Sequence, residues 1–355
     1  MHPRHRFARP GPARPSPARI ARLPIEARKR IRVLLIAKHA FWQGALHHED
    51  GNHAVYHQEM REVLEGLGID LLLADSYEAL FADPGCDFVF PLLNRGGFLN
   101  SEMLLPLLAT RLGMPFLGAS PILRGLSDDK HLAKLDARER GVPTAPWAIY
   151  RRGAPVGPEA CPHGERLVIK PNASSASWGV RDATDWAGTR QAIAEIHDDG
   201  HDAIVEPFLV GSDVEVPVIS CGGQPAILPM MLFEQADPTQ LRTYCEKRDL
   251  VERGQKYRLV ALEDHPMNDR IADYTSRLAA TYVPFDYGRF EFRMDPRTGE
   301  LNFLEVNLNC NLWSQKVFGK SAAALGWSHA DLIETILCES LSRHGLIDAR
   351  EALAA

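Results

Sequence analysis

One stretch restricts this chain more than any other. It runs Arg289-Phe290-Glu291-Phe292-Arg293-Met294, a turn-forming Asp295-Pro296-Arg297-Thr298-Gly299, then Phe303-Leu304-Glu305-Val306-Asn307. Alternating apolar and polar residues on either side of a Pro/Gly cluster read as an antiparallel hairpin. Strand side chains alternate with a period of two, so Arg289, Glu291 and Arg293 share one face of the first strand. The same count sets Phe303, Glu305 and Asn307 on one face of the second strand, with Asn302, Leu304 and Val306 on the other. Pairing the strands would gather Glu291, Glu305 and Asn307 beside Arg289. Two carboxylates and an amide oxygen make a hard-oxygen set suited to Mg²⁺, which shares its shell with waters and phosphate oxygens. Burying such a face without a cation is costly. A solvated hairpin face is the competing reading, and alternation alone does not separate the two.

Upstream, short apolar runs alternate with helical spacing, the pattern of an α/β protein. Val33-Leu34-Leu35-Ile36 has the unbroken apolar character of a parallel strand buried on both faces. A helix is predicted over 56–67, stopping at Gly68. Strands follow at 70–73 and 88–90, a helix at 101–112 and a strand at 115–118. Ser127 or Asp128 is the expected N-cap of a helix carrying Lys130 and Leu135, which ends at Gly141-Val142-Pro143. Strands are expected at 167–170 and 203–206, and a closing helix at 330–341. A chain of 355 residues is long enough for two or three domains. The expected units are 31–125, 126–210 and 211–345.

Residues 1–30 hold nine Lys/Arg against one Glu, although the whole chain carries −6. Rich in Arg, Pro and Ala and without period, they read as a disordered basic tail. So short a basic arm is weak evidence for nucleic acid, which is not expected as a partner. No apolar run approaches the ~18 residues of a membrane span, and none near the start resembles a signal-peptide core. The six cysteines are scattered without a CxxC pair. That spacing fits reduced thiols in a cytoplasmic protein better than a disulfide frame or zinc site.

There is no Walker A loop; Ser314-Gln315-Lys316-Val317-Phe318-Gly319-Lys320-Ser321 comes nearest and lacks the first Gly. Phosphate binding would therefore rest on lysines, backbone amides and a metal ion. Lys170 ends an apolar strand and precedes Pro171-Asn172-Ala173-Ser174-Ser175-Ala176-Ser177-Trp178-Gly179. Small residues let backbone N–H groups close on phosphate oxygens while the lysine adds a point charge. Lys130 lies near a helix N-terminus, whose dipole also favours anions. An ordinary strand-end lysine is the bland alternative for Lys170.

Over residues 31–341 the chain resembles the D-alanine–D-alanine ligase branch of the ATP-grasp enzymes. The resemblance rests on Gly288-Arg289-Phe290-Glu291-Phe292, Leu304-Glu305-Val306-Asn307, Gly118-Ala119-Ser120-Pro121 through Asp129-Lys130, and Leu167-Val168-Ile169-Lys170-Pro171. It implies an α/β (α+β) ATP-grasp fold: an N-terminal Rossmann-like substrate domain, then two α+β subdomains sandwiching ATP. It further implies that Glu291, Glu305 and Asn307 hold two Mg²⁺ ions, with Mn²⁺ as a substitute, and that Arg289 stabilises the transition state. Position 291 is usually Asp. Lys130, Lys170 and Ser177 would face the ATP phosphates. Glu206, Phe208 and Leu209 would lie at the adenine hinge. Asp213 would accept the ribose hydroxyls, with Glu215 as its rival. Lys247, with Arg248 in reserve, matches a mobile loop lysine that meets the transferred phosphate.

The implied reaction joins a small-molecule carboxylate and an amine through an acyl phosphate; a homodimer is compatible with it. Three departures concern the amino-acid substrates. Ala54 falls where a substrate-binding Glu is usual, and Ala176 where a Ser is usual. Leu308-Asn309-Cys310-Asn311-Leu312-Trp313 replaces a small-Pro-Gly turn. Lys316 stands at a substrate-binding Ser position, so Lys316 would grip a carboxylate and Asn309 or Asn311 an oxyanion. A site built for one hydrogen-bond pattern rejects others by large factors, which predicts an acceptor other than D-alanine. A cell-wall D-alanine–D-alanine ligase is the first alternative; a catalytically inactive nucleotide-binding regulator is the second. The cluster His47 to His57 is off the helical zinc spacing and reads as loop. Cys310 reads as a pocket-lining thiol.

Overall fold

The computed structural model describes residues 17–37, 40, 42, 53–92, 103–174, 177–235, 237, 239, 241, 257–349 and 352. Three sheets organise them. The first joins β1 (Arg32–Ile36), β2 (Asp70–Ala74) and β3 (Phe88–Pro91) in the order β2-β1-β3, all parallel. Its central strand is buried on both faces, as its unbroken apolar run requires. Val33 and Leu35 pack in one core with Tyr56, Met60 and Leu64 of α2 (His53–Gly66). Leu34 and Ile36 pack in another with Leu105 and Ala109 of α3 (Leu104–Leu112). The strand predicted at 115–118 is reduced to one bridge, Val89 to Phe116.

The helix expected after Ser127 or Asp128 forms from Lys130, and a separate, unpredicted helix precedes it. After α1 (Ile25–Arg30) and the elements above come α4 (Pro121–Asp128) and α5 (Lys130–Glu139). Asp129 caps α5, accepting from the Leu132 amide at 2.9 Å. This corrects the cap by one residue. A proline at the first position of α4 removes only an amide that has no helical partner, so α4 can start there, and the extended Asp129 separates it from α5.

The second sheet runs β4-β7-β5-β6: β4 (Ala148–Tyr150), β5 (Leu167–Pro171), β6 (Arg181–Ala183) and β7 (Ala203–Pro207). Leu167, Ile169, Ala203 and Val205 face Ile193 and Ile196 of α6 (Trp186–Asp198). The alternate side chains, Val168, Lys170 and Glu206, are turned to the opposite face.

The third sheet is antiparallel, β11-β10-β8-β12-β13, with β9 against β8. Its strands are β8 (Ser212–Cys221), β9 (Gln224–Ile227), β10 (Met231–Gln235), β11 (Tyr257–Ala261), β12 (Tyr287–Met294) and β13 (Leu301–Asn307). Val214, Val216, Phe290 and Phe292 bury one face against Ile271 and Leu278 of α7 (Asn268–Tyr282). The chain closes through α8 (Val317–Ala324) and α9 (His329–Arg343).

Packing does not follow chain order. Leu332, Ile336 and Leu337 of α9 share the core of the first sheet. Residues 17–30, expected to be disordered, dock on the same helix. Arg22 and Arg28 lie 2.8 and 2.7 Å from Glu334, and Arg22 also pairs with Asp331. Ala21 and Leu23 are buried. The basic composition was read correctly and its meaning was not, because the compensating carboxylates lie some three hundred residues away.

Asp286, fully buried, joins these layers. It accepts from the Gly118 amide (2.6 Å), the Ser340 hydroxyl (2.7 Å) and Arg343 (2.8 and 2.9 Å). Asp286→Ala strands a partly buried arginine and two donors, so it should cost about 3–5 kcal/mol in urea unfolding. A loss below about 1 kcal/mol, the size expected of a surface pair, would contradict this role.

Candidate nucleotide and metal site

The hairpin forms as the alternation requires, with one amendment. Glu291 faces Glu305 and Arg289 faces Asn307, but the register shifts immediately beyond, and Phe292 pairs with Phe303. Leu304 is thus an extra residue on β13, a bulge. Strict alternation put Phe303 beside Glu305. Instead Phe303 is fully buried, edge-on to Phe292 at 5.9 Å, while Leu304 turns toward the polar side. Burial of the aromatic ring wins over regular pleating.

Glu215 of β8 stands opposite Glu291 as well, so three carboxylates share one rung: Glu215, Glu291 and Glu305. Arg289 lies 2.9 Å from Glu215 and 2.5 Å from Glu291. Burial opposes the Arg289 charge, but those two carboxylates outweigh it and raise its pKa further. Lys130, at the start of α5, reaches Glu305 at 3.4 Å and donates to the Ser174 carbonyl at 2.7 Å.

Facing this rung is the polar side of the second sheet. Glu206 pairs with Lys170 and, at 2.7 Å, with Lys134. Burial would raise the Glu206 pKa, yet Lys134 and Lys170 overcome it and pull it down to about 2. Burial pulls Lys134 below its ordinary value; at Lys170 the same effect is outweighed by Glu206, which lifts it.

Between the two sheets lies a half-open cleft of about 130 Å³. Nine residues singled out from sequence line it: Lys130, Lys170, Ser177, Glu206, Phe208, Leu209, Asp213, Glu291 and Glu305. Val168, Val180, Pro207 and Leu304 add apolar walls suited to a flat base, with polar groups at one end. Arg293 was missed as a site residue. It donates to Asp213 at 2.7 Å and to the Leu209 carbonyl at 3.0 Å, and lies over the Phe208 ring at 5.8 Å. Glu215 turns toward Arg289 rather than toward the cleft.

Asn307 and Asn309 line an adjoining cleft that shares Lys130, Ser174 and Glu305 with the first. Asn307 also accepts from the Asn309 amide at 3.0 Å. Asn311 and Lys316 line neither cleft. Asn311 closes a local turn onto the Trp313 amide at 2.7 Å, and the Lys316 amide donates to the Trp313 carbonyl at 3.0 Å. Their turn is fixed by Glu59 of α2, which accepts from the Trp313 indole (2.7 Å) and Ser314 hydroxyl (2.9 Å) and pairs with His329 (2.9 Å). No local pattern marks Glu59. By contrast, Lys134 sits four residues after Lys130 and could have been found from helical spacing.

Lys247, Arg248, Ala176 and His47 lie outside the described residues. His57 is buried between the rings of Trp42 and Tyr56. Cys310 is buried, and that burial pushes its thiol up to about 12, which keeps it protonated. Among the described residues no three His, Cys, Asp or Glu side chains could hold a metal alone. Two carboxylates and an amide leave the rest of a Mg²⁺ shell to water and phosphate, as that ion prefers. The rung also carries more carboxylates than its two cations neutralise, so the residues present fit such an ion.

Fold and site together define an ATP-grasp protein. The family described as "D-ala D-ala ligase C-terminus" matches residues 138–338, more than half of the chain, and the chain belongs to it. It is an enzyme of the ATP-dependent, C–N bond-forming ligase class. The D-alanine–D-alanine ligase of Synechococcus sp. (strain JA-3-3Ab) is 25% identical over 294 residues, covering 81% of this chain and 88% of that protein. The Bacillus anthracis D-alanine–D-alanine ligase complexed with ATP superposes with a TM-score of 0.71 at 18% identity, over 89% of this chain and 98% of that one. The VanG D-Ala:D-Ser ligase of Enterococcus faecalis gives 0.65 at 14% identity, over 87% and 99%. No helix among the described residues is long and apolar enough to cross a membrane.

The low pKa of Glu206 has a thermodynamic consequence. A carboxylate held at about 2, against an ordinary 4.5, gives stability that is complete above pH 4.5 and lost as pH falls toward 2. Acid unfolding should therefore steepen across that window. Glu206→Gln should flatten the slope there; an unchanged slope would show that the lysine pairing contributes nothing.

Proposed function

We propose that this protein is a carboxylate–amine ligase of the D-alanine–D-alanine ligase type, working on an acceptor other than D-alanine. The observation that carries the reading is the meeting of Lys130, Lys170, Glu291 and Glu305 on one cleft between two sheets. A carboxylate oxygen of the first substrate attacks the terminal phosphorus of ATP, and ADP leaves. The amine nitrogen of the second attacks the acyl carbon, phosphate departs, the nitrogen loses a proton, and an amide results.

Each step needs positioning and charge neutralisation more than covalent help. Lys130 and Lys170 meet phosphate oxygens, and Lys247 is proposed to join them. Arg289 faces the negative charge that builds during transfer. Glu291, Glu305 and Asn307 would hold two Mg²⁺ ions, which when bound would neutralise charge on the phosphates. Glu206, Phe208, Leu209 and Asp213 hold the nucleoside, with Arg293 fixing one oxygen of Asp213.

Two departures support a different acceptor: Ala54 removes a substrate-binding carboxylate, and Asn309 and Cys310 belong to the turn that replaces a small-Pro-Gly one. The names of relatives favour the second reading, a cell-wall D-alanine–D-alanine ligase. An amino-acid and amine panel read by ADP release separates the two. Turnover with D-alanine alone, and with no other acceptor better, would overturn the proposal. Glu305→Ala should fold normally by circular dichroism and lose at least about 10²–10³ in ADP release. Near-normal turnover in that variant would remove the hairpin from the reaction.

A further inference from the structure

Beside the hairpin lies a buried arginine that has no counter-ion among the described residues. Arg124 of α4 is 1% exposed. Its Nη2 donates to the Leu117 carbonyl at 3.2 Å, its Nε has no hydrogen-bond partner, and it forms no ion pair among the described residues. The guanidinium approaches Gly118 closely: an added Cβ there would stand 2.2 Å from Nη2. Backbone has thus been cleared for it: Gly118 has φ of 114°, a conformation that side chains rarely adopt. A buried charge held with one carbonyl acceptor is poorly compensated, and buried charges are as a rule paired with an opposite one.

An adjoining cleft offers a place for that anion. Arg124 lines the smaller cleft with Asp128, Lys130, Glu305, Asn307 and Asn309. This cleft meets the nucleotide cleft at Lys130, Ser174 and Glu305. An anion there would lie next to the hairpin carboxylates and the ions they hold. Lys316, the carboxylate anchor expected from sequence, lies in neither cleft.

We propose that Arg124 is the oxyanion-binding residue of a second subsite beside the hairpin. Its ligand is a substrate carboxylate or the phosphoryl group being transferred, both of which match a guanidinium fork. The proposal rests on the ligase reading above.

The test uses the full chain with Arg124→Met and Arg124→Lys. Each protein is first saturated with Mg-ADP. Orthophosphate is then titrated in one arm, and D-alanine and the common L-amino acids in the other. At least one of these ligands should bind the wild type, weaken about tenfold or more in Arg124→Met and recover partly in Arg124→Lys. Mg-ADP affinity should stay unchanged. A loss confined to orthophosphate assigns the phosphoryl group; a loss confined to amino acids assigns the carboxylate. No binding to the wild type, or equal binding to Arg124→Met, overturns the subsite while leaving the ligase reading intact. Failure of the wild type to bind Mg-ADP sinks that reading instead, and the subsite with it. Ligand-free Arg124→Met should melt no lower than the wild type, since it removes an unpaired buried charge. A clear drop in melting temperature would assign Arg124 to packing and overturn the proposal.

Discussion

Two lysines one helical turn apart hold the cleft together. Lys130 of α5 turns to Glu305 on the third sheet, and Lys134 turns to Glu206 on the second. Lys134 also donates to the Thr144 hydroxyl at 2.6 Å, which in turn donates to the Phe303 carbonyl at 2.8 Å. One helix thus ties the polar faces of both sheets across the space where a nucleotide would lie. Buried charges add little net stability once their desolvation is counted, but removing one partner is expensive. Such a helix therefore fixes the geometry of the cleft more than it adds to the stability of the fold.

That arrangement leaves the third sheet with a surplus of carboxylate. Glu215 and Glu291 share Arg289, and Glu305 has Lys130. Of these two cations, Lys130 lines both clefts, while Arg289 stands between two carboxylates of the rung. Under the proposed function, a nucleotide with its ions would draw Lys130 from Glu305 to phosphate while a metal takes its place on the glutamate.

Much of this was legible before any coordinates. The hairpin announces itself by alternation, and Lys170 by ending an apolar strand. Where reading failed, the cause was non-local. Leu304 bulges because Phe303 gains more from the core than from regular pleating, which the alternation does not encode. Arg22 and Arg28 pair with Glu334 on the last helix, so composition alone made their segment look disordered. Glu59 holds the 311–316 turn from a distant helix, and Arg293 secures Asp213 from a neighbouring strand. The substrate side was read least well. Asn311 and Lys316 were placed by position in a pattern, but they lie on the Glu59-held turn and line neither cleft.

The central claim is that the carboxylate rung, closed over by α5, exists to hold divalent cations against a nucleotide. Calorimetric titration of ADP, with and without Mg²⁺, into the wild type and a Glu291→Gln/Glu305→Gln double variant tests it directly. Affinity should rise at least about tenfold with Mg²⁺ in the wild type, and that gain should vanish in the double variant. Equal ADP affinity with and without the ion in the wild type would contradict the account.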